Sequence, residues 1–128
     1  MILLLAGDIH PHPGPVYPNS LSICHINARS LTKDGRIEDM YLELCSLHAF
    51  DIIGVSETHL GPNVTDNDVE LVNYSLLRND RNRNGGGVAL YVHESISVLR
   101  RPDLEKPNME MLWAEVMFKN NTILICVC

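Results

Sequence analysis

The sequence predicts a mixed α/β domain. Two apolar runs, Leu21–Ile26 and Ile52–Ser56, flank a segment of helical length and periodicity, which makes a strand–helix–strand unit. After it, short apolar runs are cut at intervals by turn-forming residues, the pattern of an antiparallel meander. Size agrees: 128 residues, 45% of them hydrophobic, suffice for one packed domain. Only 5% are aromatic, so aliphatic side chains must fill the core.

Residues 1–20 stand apart as a leader, with the domain proper at 21–128. His10-Pro11-His12-Pro13-Gly14-Pro15 and Pro18 cannot sit in a helix or a central strand, so the stretch reads as an extended proline-rich arm. Met1–Ala6 is apolar but short, lacks a basic flank and ends at Gly7-Asp8, which suits neither a signal peptide nor a membrane span.

Within the domain, Leu21–Asn27 reads as the first strand. Residues 34–48 read as an amphipathic helix with Asp34 as N-cap, Glu38 and Asp39 in its first turn, and Ile37, Met40, Tyr41, Leu44 and Leu47 or His48 as its inner stripe. Ile52–Ser56 is apolar throughout, as expected of a central strand covered on both faces. A right-handed crossover makes the two strands parallel. Residues 61–73 form a polar loop with a helical turn near Thr65–Leu71. Strands are then expected at Tyr74–Arg78, Gly87–His93, Ser95–Leu99, Met109–Phe118 and Thr122–Cys128, with a hairpin turn at Asn120-Asn121. Trp113 falls in an alternating strand and reads as core.

A net charge of −6 argues against a broadly basic nucleic-acid surface, although it permits a local basic rim. Cys24, Cys45, Cys126 and Cys128 show no CxxC or zinc spacing and read as reduced thiols, which favours a reducing compartment, cytoplasm or nucleus.

The chemistry is expected where the parallel strands end. The first run ends in Asn27 and the second in Glu57, and in a parallel unit both reach the carboxyl edge of one sheet, where ligands gather. A hard cation such as Mg²⁺ takes oxygen ligands, keeps several waters and needs only one or two protein carboxylates. Glu57 could hold it, with Asn27 orienting the metal or a phosphate. Spacing alone leaves open that both residues merely cap strand ends. Arg78, Arg81 and Arg83 flank the Gly85-Gly86-Gly87 turn and could contact phosphates, or form a solvated loop. The glycines precede a strand and not a helix, so they read as turn residues and not as a phosphate-binding loop.

The ordered set Ile23-Cys24-His25-Ile26-Asn27-Ala28-Arg29-Ser30-Leu31, Asp51-Ile52-Ile53-Gly54-Val55-Ser56-Glu57-Thr58-His59-Leu60, Arg78-Asn79-Asp80-Arg81 and Gly85-Gly86-Gly87-Val88-Ala89-Leu90-Tyr91-Val92 resembles the endonuclease/exonuclease/phosphatase superfamily. Its order and spacing are most similar to the apurinic-type endonuclease domain of non-LTR retrotransposon reverse-transcriptase proteins. Gly7-Asp8-Ile9 and Pro13-Gly14-Pro15 resemble a ribosome-skipping peptide in which His10 and His12 replace the usual Glu and Asn.

The resemblance implies a four-layer α/β sandwich, of which about the first half is expected here. It also implies phosphodiester hydrolysis with Mg²⁺ or Mn²⁺. Asn27 matches the first-strand asparagine and Glu57 the metal-binding glutamate, as catalytic and metal residues, with DNA as the partner and no membrane. The remaining site groups of the family would fall beyond residue 128, so an inactive fragment is expected. Ile123–Cys128 is expected to be an apolar strand without second-sheet cover, in a monomeric or aggregation-prone chain. The rivals are a phosphatase or phosphodiesterase of the same superfamily and a non-enzymatic remnant of the fold.

Overall fold

The computed structural model describes residues 20–81 and 84–128, with the backbone of Ile2–Leu3. The rest of the leader, Asn82 and Arg83 lie outside the described residues.

Eight strands form two four-stranded sheets. β2 (Ile23–Asn27) and β3 (Ile52–Ser56) pair in parallel with Asn27 opposite Ser56, as a strand–helix–strand unit requires. β5 (Val88–His93) pairs antiparallel with β3 on one side and with β4 (Tyr74–Asn79) on the other, giving the order β2-β3-β5-β4. β3 and β5 are the central pair, and four residues in the first and five in the second are buried, which explains their unbroken apolar runs. The second sheet is a meander of β6 (Ser97–Arg100), β7 (Leu112–Phe118) and β8 (Asn121–Val127), joined at its edge by β1 (Ile2–Leu3) parallel to β8. The expected single meander is therefore divided, because the chain crosses between sheets after β5.

The sheets pack face to face. Ile52, Val88, Leu90 and Val92 from the first meet Leu112, Ala114, Val116, Ile125 and Val127 from the second. This corrects the expectation of an uncovered C-terminal strand: Ile125 and Val127 are fully buried. Trp113 alternates with Leu112 and Ala114, so it is half-buried on the opposite face and not in this core.

On the outer face of the first sheet, Ile53, Val55, Ala89 and Tyr91 pack with Met40, Leu44, Val69 and Leu71. Met40 comes from α1 (Arg36–Met40) and Leu44 from the π-helical stretch that continues it, Tyr41–Leu47. Asp34 is not the N-cap. Gly35 takes that place at φ 77°, a left-handed conformation that glycine adopts without steric cost, and no side chain caps the helix. The wider π turn also shifts the inner stripe. Ile37, Met40, Leu44 and Cys45 face the sheet, whereas Tyr41 and Leu47 are exposed.

The polar loop carries a 3₁₀ turn, Asp66–Val69, closed by a capping box between Thr65 and Asp68. The last hairpin turns at Lys119-Asn120 instead of Asn120-Asn121, both residues having positive φ. All four cysteines are free. Among the described residues no helix is long and apolar enough to cross a membrane.

Leu90 lies fully buried between the sheets, while Leu99 points outward and is 61% exposed. Leu90→Ala is expected to cost about 2–5 kcal/mol, and Leu99→Ala less than about 0.5 kcal/mol. Urea unfolding, read as midpoint changes at constant slope, checks the contrast.

Candidate functional site

Asn27 and Glu57 are brought together as the sequence predicts. Asn27 pairs with Ser56, and Glu57 follows at the carboxyl edge of the same sheet. Asn27 is exposed, and its Oδ1 accepts the Arg29 N–H at 3.1 Å. It therefore caps its own loop as well as facing the site edge.

The segment Glu57-Thr58-His59 is fixed from two sides. Ala28, Ser30 and Leu31 donate their N–H groups to the carbonyls of Ser56, Glu57 and Thr58 at 2.9, 2.8 and 3.0 Å. From the other side, the Thr58 and His59 N–H groups donate to the carbonyls of Gly87 and Gly86 at 3.2 and 2.9 Å. Glu57 and His59 both sit at φ 53°, a left-handed conformation that costs non-glycine residues about 1–3 kcal/mol each. Such strain persists only where the surroundings over-determine it. Here Thr58 and Leu60 are fully buried, and they anchor the segment.

Glu57 faces solvent with its side chain 45% exposed. Its Oε2 lies 2.8 Å from His59 Nε2 and accepts the Gly86 N–H at 3.3 Å. The His59 hydrogen bond first, then the Gly86 amide, holds the Glu57 carboxyl below its ordinary value of 4.5, so it is ionised at neutral pH. Oε1 accepts no hydrogen bond from the described residues. Among those residues no group of three or more His, Cys, Asp or Glu could hold a metal ion. The donor set does not form a closed protein cage. It fits a hard cation held by one carboxylate and otherwise largely by water.

Arg78 is engaged structurally. Its guanidinium donates to Asp80 at 2.6 Å, Asp66 at 3.1 Å, and the carbonyls of Val64 at 2.8 Å and Gly61 at 3.3 Å. This ties the loop beyond His59 to β4. Arg81 is exposed and donates to Glu110 Oε1 at 2.8 Å. Arg83 lies outside the described residues.

Two features were not found from sequence. His59 is the hydrogen-bonding partner of Glu57, and their two-residue spacing was the available signal. Gly86 and Gly87 are more than turn residues, since antiparallel pairing sets them beside Glu57 and Thr58. A Cβ on Gly87 would stand 2.5 Å from Thr58 Oγ1, a hydroxyl that is buried without a partner among the described residues.

Gly87→Ala therefore adds a clash to the strain of φ 88°, and a loss of at least about 1–3 kcal/mol is expected by thermal or urea unfolding. In the metal-free chain, a carboxyl-detected NMR titration should place Glu57 below 4.5, moving up toward that value in His59→Ala. With the folded value depressed, the associated stability is present above the unfolded pKa and lost as pH falls through the folded one.

No protein-family model matches the sequence, and no curated protein sequence does. Among solved structures, the chain is similar to the human Nocturnin catalytic domain, solved with a bound sulfate anion, at 12% identity and a TM-score of 0.53. The match covers 83% of this chain and 47% of that one, so the chain spans about half the length of that domain. At this identity the likeness is one of fold: two facing sheets with a helix outside, the α/β sandwich of the endonuclease/exonuclease/phosphatase type.

Proposed function

We propose that the chain carries the metal-holding part of a divalent-metal-dependent phosphodiesterase site whose substrate is DNA, nicked as in non-LTR retrotransposon endonuclease domains. The observation that carries this reading is the presentation of Glu57. It is an ionised carboxylate with one oxygen fixed by His59 and Gly86, on a strained loop at the carboxyl edge of a parallel strand pair. Asn27 lies beside it and serves to orient metal or phosphate. Mg²⁺ or Mn²⁺ held at Glu57 supplies positive charge to a phosphoryl oxygen. The retroelement assignment is supported by the ordered motifs at 23–31, 51–60, 78–81 and 85–92. The bound sulfate of the structurally similar domain is consistent with a fold that receives tetrahedral anions.

Arg81 and Arg83 are the phosphate contacts in this reading. Arg78 contributes indirectly, by holding the loop at Gly61–Asp66. The groups that activate water in the family pattern have no counterpart among these residues, so this chain alone is expected to bind metal without turnover.

Mn²⁺ binding followed by electron paramagnetic resonance tests the reading. Glu57→Gln is expected to weaken binding at least about tenfold, while plasmid nicking by the wild-type chain stays at the EDTA background. Equal Mn²⁺ affinity in Glu57→Gln would remove Glu57 as the ligand. Nicking that needs both Mg²⁺ and Glu57 would overturn the assignment of the chain as inactive alone.

A further inference from the structure

Glu110 stands at the mouth of this site without being one of its proposed ligands. It precedes β7 on the irregular segment after the 3₁₀ turn Pro102–Leu104. Asn79 Nδ2 donates to the Met111 carbonyl at 2.7 Å, which pins that segment to the end of β4. The carboxylate of Glu110 then reaches across the glycine turn. Its Oε2 accepts the Gly87 N–H at 3.1 Å and its Oε1 accepts Arg81 Nη1 at 2.8 Å. Gly86 lies directly beneath, where a Cβ would come within 2.5 and 2.6 Å of the two carboxylate oxygens and 2.7 Å of Arg81 Cδ.

Two consecutive amides thus each hold a carboxylate, Gly86 that of Glu57 and Gly87 that of Glu110. The two carboxylates differ in how firmly they are kept. Glu57 is locked on a strained, doubly hydrogen-bonded segment. Glu110 belongs to an ion pair whose side chains are 60% (Arg81) and 36% (Glu110) exposed, and such pairs are weak in water. The pair opens onto a cleft of about 510 Å³ lined by Asn79, Asp80, Arg81, Asn108, Met109 and Glu110. A backbone amide and a guanidinium aimed at one point are the donors that a phosphate oxygen takes on a nucleic-acid strand.

We propose that the Gly87 amide and the Arg81 guanidinium form a subsite for one backbone phosphate next to Glu57, and that Glu110 fills it as a built-in competitor when no strand is bound. This rests on the reading of the site as acting on DNA. The strand enters by displacing the Glu110 carboxylate from both donors, and Glu110 swings into the open cleft. No bond is made or broken. Gly86 is the residue that lets the pair lie flat enough for the exchange, because any side chain there would hold the carboxylate off the Gly87 amide.

Binding of a short fluorescein-labelled DNA duplex by anisotropy, across a salt series, tests the proposal. Glu110→Gln keeps the size and removes the charge, and it is expected to tighten binding about fivefold. Arg81→Ala is expected to weaken binding and to reduce the salt slope by about one phosphate contact. The wild-type chain gives a measurement that needs no variant: inorganic phosphate should shift the amide resonance of Gly87 and the carboxyl resonance of Glu110 together. Glu110→Gln that binds no tighter than wild type, with a Gly87 amide indifferent to phosphate, would overturn the subsite while leaving the DNA reading intact. Absence of duplex binding by every form, wild type included, would overturn both.

Discussion

The structure depends on the stitching of residues 57–59 between two distant parts of the chain. Five backbone hydrogen bonds tie this segment and the residue before it to the loop after β2 on one side and to Gly86-Gly87 on the other. They hold four non-glycine residues, Arg29, Ser30, Glu57 and His59, in left-handed conformations. Each bond contributes about 0.5–1.5 kcal/mol and each strained residue costs about 1–3 kcal/mol, so the bonds alone do not settle the geometry. Burial of Leu60 in the outer core tips the balance. The candidate site is therefore a consequence of packing. Its carboxylate is presented because the residues after it are pulled inward.

Sheet topology explains why this happens at one place. The parallel β2–β3 pair puts Asn27 and Glu57 at the same edge, and the antiparallel β3–β5 pair brings the start of β5 to that edge as well. Three loops that are remote in sequence meet there because two kinds of pairing share β3. The second sheet adds a fourth element through the residues before β7. Arg100 extends the connection, donating to the Arg78 carbonyl at 3.0 Å and to Glu105 at 2.9 Å. The two sheets are thus joined by an apolar interior and, at the site, by polar contacts.

Much of this was legible in the sequence. The strand–helix–strand unit, the parallel pairing and the meeting of Asn27 with Glu57 follow from apolar runs, helical periodicity and handedness, all local signals. What was not legible depends on non-local pairing. Nothing in Gly85-Gly86-Gly87 says that it will face Glu57, and nothing near Glu110 says that it will reach Gly87. The division of the later strands between two sheets was missed because alternation marks a strand without naming its partner. Helix details failed for a different reason. Asp34 and the Tyr41 and Leu47 positions were read on an ideal α-helical wheel, whereas the helix starts from Gly35 and widens into a π turn.

The same distinction governs what the charge count says about partners. A net charge of −6 counts arginines as if they were available. In the fold, Arg78 is paired with Asp66 and Asp80, Arg81 with Glu110, Arg100 with Glu105, and Arg101 with Asp103 and Glu115. These pairs differ in kind. Arg78 is largely buried with its donors spent on backbone carbonyls as well as carboxylates, so releasing it would undo the loop at Gly61–Asp66. Arg81 is held by one exposed carboxylate and could be released without disturbing a strand. A chain arranged in this way has little attraction for polyanions in general, because long-range attraction follows net charge. The proposed affinity for a phosphate therefore arises at short range, where a ligand reaches Arg81 and the Gly87 amide together. In the proposed reading, selectivity for a strand lying across the Glu57 edge rests on where the exposed Arg81–Glu110 pair sits.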